Sequence, residues 1–157
     1  MNYLASRTSR FFANLLDGII VAVIFGIICY IYFQSTKESI NFSSYSNPYD
    51  IPLTKLYVFS LFVNLILIFI FYTLIPTYVW KGQTIMKKLL GIAVVKEDDS
   101  EVDLSTLLLR NVLSFLNVLP IPYIIQLLVL VDALFIFTQD KRTLHDLIAK
   151  TKVIEVY

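Results

Sequence analysis

Hydrophobic positions gather into four runs separated by polar segments: Phe11–Phe33, Leu56–Trp80, Leu104–Leu119 and Tyr123–Thr138. The first two are long enough to cross a bilayer, which needs ~20 apolar residues at a helical rise of ~1.5 Å each. The second ends in Tyr78 and Trp80, aromatics suited to a headgroup boundary. The last two would each cover only about 24 Å as helices, short of the ~30 Å hydrocarbon core. Pro120-Ile121-Pro122 breaks the chain between them. A signal peptide does not account for the first run. It continues well past the roughly 7–15 apolar residues of an h-region, and no small-x-small cleavage site follows.

The polar segments have patterns of their own. Gln34–Thr54, with Pro48 and Pro52, reads as a loop. The connector 81–103 predicts a short interfacial helix over Gln83–Leu90, ended by Gly91. A strand over Ile92–Lys96 and an acidic turn, Glu97-Asp98-Asp99-Ser100, follow it. In the tail 139–157, Thr151–Tyr157 alternates in strand fashion, and it is expected to pair with Ile92–Lys96 outside the membrane. The expected fold is a single all-α integral membrane domain over residues 1–157. It is a bundle of four transmembrane helices, two full-length and two short, with a small two-stranded β element. The short pair forms either two crossings or a re-entrant hairpin. Two crossings fit better, because the proline break lies near the far side.

Composition sharpens this picture. The chain is 57% hydrophobic and 16% charged, with a mean hydropathy of +0.73, where soluble domains carry roughly a quarter charged residues. A net charge of +1 gives no basic field for nucleic acid. One cysteine, Cys29, excludes an internal disulfide, and one histidine, His145, excludes a His-based metal cluster. Lys and Arg set the orientation. Arg7, Arg10, Lys81, Lys87, Lys88, Lys96, Lys141, Arg142, Lys150 and Lys152 fall in the N-terminus, the connector and the tail; only Lys37 and Lys55 flank the first loop. That asymmetry places both termini and the connector in the cytoplasm.

Three ionisable residues lie inside apolar runs: Asp17, Arg110 and Asp132. Each sits ~9 Å from the cytoplasmic end of its run at helical rise. Ionisable groups at that depth call for partners. The polar neighbours are Asn14, one turn before Asp17, with Asn111 and Gln126. Two readings follow. In one, Arg110 stands between two carboxylates, and Asp17 and Asp132 bind a proton or small cation. In the other, the same charges form a structural ion pair between helices. Arg10, two turns from Asp17, reads as a topology anchor unless it meets another segment. Asp146 is expected to cap a short helix or pair with Lys or Arg. The stretch Gly82–Lys87 lacks the second glycine of a phosphate loop. The five acids of Glu97–Asp103 lack the central glycine of a calcium loop. With no nucleophile, metal set or cofactor loop, neither an enzyme nor a bound cofactor is expected.

Three segments carry a resemblance to a known family. Arg10-Phe11-Phe12-Ala13-Asn14-Leu15-Leu16-Asp17 resembles the opening of the RDD family, named for one arginine and two aspartates. The stretch from Lys81 to Ile92 resembles its second signature, and Leu144 to Thr151 its C-terminal one. The likeness covers nearly the whole chain in the family's order. It implies that Arg10 and Asp17 are the arginine and first aspartate. The second aspartate falls at Asp146, with Asp132 the weaker claimant. Met86 and Lys150 stand where the family tends to have glycine, and Ala93 where it tends to have a basic residue. The resemblance further implies a bacterial membrane domain, for which ligand or cation transport, or partnership with other membrane complexes, has been proposed. The expected function is therefore proton, cation or small-solute transport by a homo-oligomer, with Asp17 as the coupling site. The alternative is a scaffold for another membrane protein. The bilayer is a partner in either case.

Overall fold

The computed structural model describes residues 3–36, 52–118, 124–135 and 142–156. Helix α1 (Arg7–Thr36) and helix α2 (Pro52–Phe69) are followed by α3 (Ile85–Leu89), strand β1 (Ile92–Lys96), α4 (Leu104–Arg110), α5 (Val112–Leu116), α6 (Ile124–Phe135), α7 (Leu144–Ile148) and strand β2 (Thr151–Glu155). Among the described residues two segments are long and apolar enough to cross a membrane, Arg7–Thr36 and Lys55–Val79.

Burial on α1 is inverted relative to a soluble helix. Its buried residues are Arg10, Ala13, Asp17 and Val21, one face at spacings of three and four. Arg10 is 3% exposed and Asp17 4%, whereas Phe11 is 56% and Ile27 54% exposed. Water would drive the opposite arrangement. Charges inside and phenylalanines outside suit a hydrocarbon solvent, in which an unpaired charge is the costly group. The chain is a membrane protein by this criterion.

Beyond Phe69 the second span widens into a π-helical segment, Ile70–Val79, which contains Pro76. Proline has no N–H to give, and its ring disfavours the α register. The wider turn opens carbonyls to side chains: Asn111 Nδ2 donates to Tyr72 O at 2.7 Å and to Thr73 Oγ1 at 3.3 Å. Asn111 is also the break between α4 and α5. The single helix expected over Leu104–Leu119 is therefore two shorter ones. The twelve described residues of α6 cover about 18 Å. The proline break at 120–122 and the end of the fourth apolar run lie outside the described residues.

The short helix of the connector is Ile85–Leu89, shorter than the Gln83–Leu90 expected. Gly91 then turns the chain with φ +63° into β1. β1 and β2 pair antiparallel, from Ile92 opposite Glu155 to Lys96 opposite Thr151. The N-terminal segment adds a further edge: Ala5 N–H donates to Val153 O and Glu155 N–H to Tyr3 O, both at 3.0 Å. The sheet, Met86 and the start of α1 enclose a small core of Ala5, Ala13, Ile92, Val94, Val102, Leu107 and Val153. Gly82 seats this module against the second span. Its carbonyl accepts Val94 N–H at 2.9 Å and its own N–H donates to Pro76 O. A Cβ at Gly82 would lie 2.1 Å from Val94 O.

Candidate functional site

Asp146 is the hub. Thr143 and Asp146 form a capping box on α7, the Asp146 carboxylate accepting the Thr143 N–H at 3.2 Å. The same carboxylate binds Arg10 from α1 and Arg110 from the end of α4, the latter at 2.8 Å, and its side chain is completely buried. Thr151 Oγ1 adds a contact at 3.3 Å. Burial pushes this carboxyl up, but Arg110, Arg10 and the Thr143 N–H outweigh it and hold it well below the usual carboxylate range. A single side chain thus ties together α1, α4, α7 and the start of β2. Arg10 is accordingly a buried ion-pair partner, not a topology anchor facing solvent.

Asp17 performs a different task. Thr84 precedes α3 but makes no side-chain cap to it. Asp17 supplies the cap from α1: Oδ1 accepts the Met86 N–H at 3.0 Å, and Oδ2 accepts the Thr84 hydroxyl. Orphan N–H groups at a helix start need such an acceptor, and here it comes from another helix.

Arg110 does not stand between Asp17 and Asp132. Its Nη2 meets Asp146 Oδ1 and, at 3.2 Å, His145 Nε2. Asp132 on α6 grips His145 twice, Oδ1 accepting the backbone N–H at 2.8 Å and Oδ2 facing Nδ1 at 2.7 Å. Arginine only donates. An Arg110–His145 bond therefore makes Nε2 an acceptor and puts the ring proton on Nδ1, toward Asp132. The result is a relay of four side chains, Asp132, His145, Arg110 and Asp146, with Arg10 at its end. Arg110 and Asp132 belong to one network, joined through a histidine that depth arguments passed over.

Lys87 on α3 is also buried. Among the described residues nothing forms a hydrogen bond or ion pair with it. Burial, then the neighbouring Arg110, pulls its ammonium down to about 7, while Asp17 and Asp146 act in the opposite direction. The signal for Lys87 was available in sequence: it lies three residues after Thr84, on the helix face that turns toward Asp17.

A cavity of about 480 Å³ opens above this network. Lys87, Arg110, Asp132 and His145 wall one end, and it runs between α1 and α2 to Phe25. From Asn14 to Phe25 along α1 is ~16 Å. Asn14 and Asn111 are on its wall; Asp17 is not. Gln126 lies on α6, with its side chain outside the described residues. A second, apolar cavity of about 670 Å³ begins at Phe25 and continues past Cys29 and Tyr57.

The fold and network define a small membrane domain whose first long helix is tied to α4 and α7 by a buried Arg–Asp–Arg cluster. The sequence profile of the RDD family matches residues 4–150, and the chain belongs to that family. The matched range includes Arg10, Asp17 and the hub Asp146. A relative in Bacillus subtilis (strain 168), described as uncharacterized protein YckC, is 39% identical over 97 residues, 60% of each chain. The match thus spans 60% of that relative's length. No solved structure matches.

Proposed function

We propose that the chain is a multi-pass protein of the bacterial cell membrane that contributes to proton-coupled movement of a small solute, working as a homo-oligomer. Both termini and the β1–β2 module face the cytoplasm in this reading, as the Lys and Arg asymmetry supports. The last two apolar runs, α4–α5 and α6, enter the membrane as a short pair.

The observation that carries the reading is the cavity between α1 and α2, walled at its charged end by Asp132, His145, Arg110 and Lys87. Intramembrane carboxylates and histidines beside a hydrated space are the working parts of proton relays. The His145–Asp132 pair takes the coupling role that charge and depth alone assign to Asp17, because Asp17 is occupied as a helix cap. Lipid-facing exposure along α1 leaves room for a second copy to complete the path.

Asp132→Asn in proteoliposomes tests the reading. Proton-driven uptake is expected to fall at least tenfold while the variant keeps a cooperative melt. Unchanged flux would eliminate it. A scaffold reading is favoured by Leu89 and Tyr78, 72% and 70% exposed beside the module. It requires a stoichiometric companion in mild-detergent purification and no flux from the purified protein.

A further inference from the structure

We propose that the charged end of the cavity between α1 and α2 binds a phosphate group, either free or carried on a lipid headgroup. The inference deepens the transport reading, since it uses the same cavity and names the solute's chemistry.

The argument is one of unused donors. Counted as full charges, Arg10, Arg110 and Lys87 balance Asp17, Asp132 and Asp146. The acceptors, however, are all engaged. Asp146 serves Arg10, Arg110, Thr143 and Thr151. Asp17 serves Met86 and Thr84. Asp132 serves His145 through both oxygens. What is left over is donors. Arg110 is 5% exposed and its Nη1 is buried with no hydrogen-bond partner. Lys87 is 7% exposed, and among the described residues its ammonium has no hydrogen bond or ion pair. Both residues wall the same cavity.

A buried donor without a partner costs about 1–3 kcal/mol, more when charged. Arg110 Nη1 is such a donor, and with Lys87 as a second basic group on the same wall the two describe a site for an anion. Asn14, Asn64, Ser114 and Asn117 line the same space and add neutral donors. Together these exceed the roughly four acceptor positions of a carboxylate and suit the more numerous ones of a phosphate. The wall beyond them is apolar, with Val21, Phe25 and Ile68, so a phosphate headgroup with an acyl chain along the groove also fits. Lys87 gains its proton more readily once an anion neutralises Arg110, which opposes it now.

The test uses the full chain in dodecyl maltoside. One arm titrates inorganic phosphate against chloride at matched ionic strength; the other compares phosphatidic acid with phosphatidylcholine in mixed micelles. A rise in melting temperature with phosphate, or with phosphatidic acid alone, is expected and identifies the source. Lys87→Met is expected to weaken the response at least tenfold, and Lys87→Arg to retain it. Asn64→Phe, which fills the cavity away from the ion network, is expected to abolish it. No response in either arm, or equal responses in the wild type, Lys87→Met and Asn64→Phe, overturns the site. Flux lost in Asp132→Asn with phosphate binding kept leaves the site standing. Binding absent while flux persists removes the site alone.

Discussion

Asp17 on the first spanning helix accepts the backbone N–H of Met86 at 3.0 Å, across a sequence separation of 69. A side chain of the long apolar helix α1 thus caps a helix of the β-strand module. The cap is worth about 0.5–2 kcal/mol by analogy with local caps, and the Thr84 hydroxyl depends on the same carboxylate. Asp17→Ala is therefore expected to lower the melting temperature clearly, while Asp17→Asn, whose amide oxygen still accepts the Met86 N–H, loses less than half as much. Equal losses, measured by thermal denaturation in detergent, would contradict the capping role.

The Arg10–Asp146 pair is fully enclosed, so breaking it from one side leaves a buried charge. Arg10→Met alone and Asp146→Leu alone are each expected to cost about 3–5 kcal/mol. The double variant should recover part of that loss, because it removes both charges together. A double-mutant cycle on unfolding midpoints reads the coupling directly. Strict additivity would mean that the two residues do not act as a pair. Arg110 remains beside the vacated position, so recovery will be incomplete.

Backbone geometry gives two predictions of opposite sign. Gly82 has φ +85° and no room for a Cβ, so Gly82→Ala is expected to prevent the module from docking and to abolish folded yield. Lys150, between α7 and β2, has φ +51°, which costs a side-chain-bearing residue roughly 1–2 kcal/mol. Lys150→Gly is expected to stabilise the chain by about 1 kcal/mol, provided no Lys150 side-chain contact is lost. A lower melting temperature for Lys150→Gly would show that the strain is not stored there.

Lys87 links stability to pH. Its folded pKa, about 7, lies below the ordinary 10.5. Below about 7 both folded and unfolded chains hold the proton, and the full cost of a buried ammonium is present. Between those values the unfolded chain binds more protons, so stability rises with pH. The melting temperature is expected to climb from pH 7 to 9 in phosphate-free buffer and to climb less in Lys87→Met. Equal slopes for the two proteins would show that another group governs the dependence.

Apolar runs and strand alternation are read directly from sequence. Ile92–Lys96 was expected as a strand and is one, and the tail strand begins at Thr151 as expected, because alternation and glycine punctuation are local. The split of Leu104–Leu119 at Asn111 was not legible. It depends on a carbonyl presented by the π-helical turn around Pro76, far away in the chain. The wiring of the polar residues was legible only in part. Depth counting brought Arg110 and Asp132 to one level, but it ignores direction. It therefore missed that His145 stands between them and that Asp17 turns toward Thr84. The resemblance of the motif segments singled out Arg10 and Asp146; only the packing of α7 against α1 and α4 makes them partners.

Arg10 and Asp146 are separated by 136 positions in the chain. At about 5–20 residues per second of synthesis, the arginine waits ~7–27 s for its counter-ion. Until then the first spanning helix holds a guanidinium without its Asp146 partner, on a stem long enough to snorkel outward. Assembly is therefore vectorial: early helices enter the lipid unlocked, and a late-made turn bolts them in place. Any chain truncated before that turn should be left inserted but loose, a natural target for membrane proteolysis.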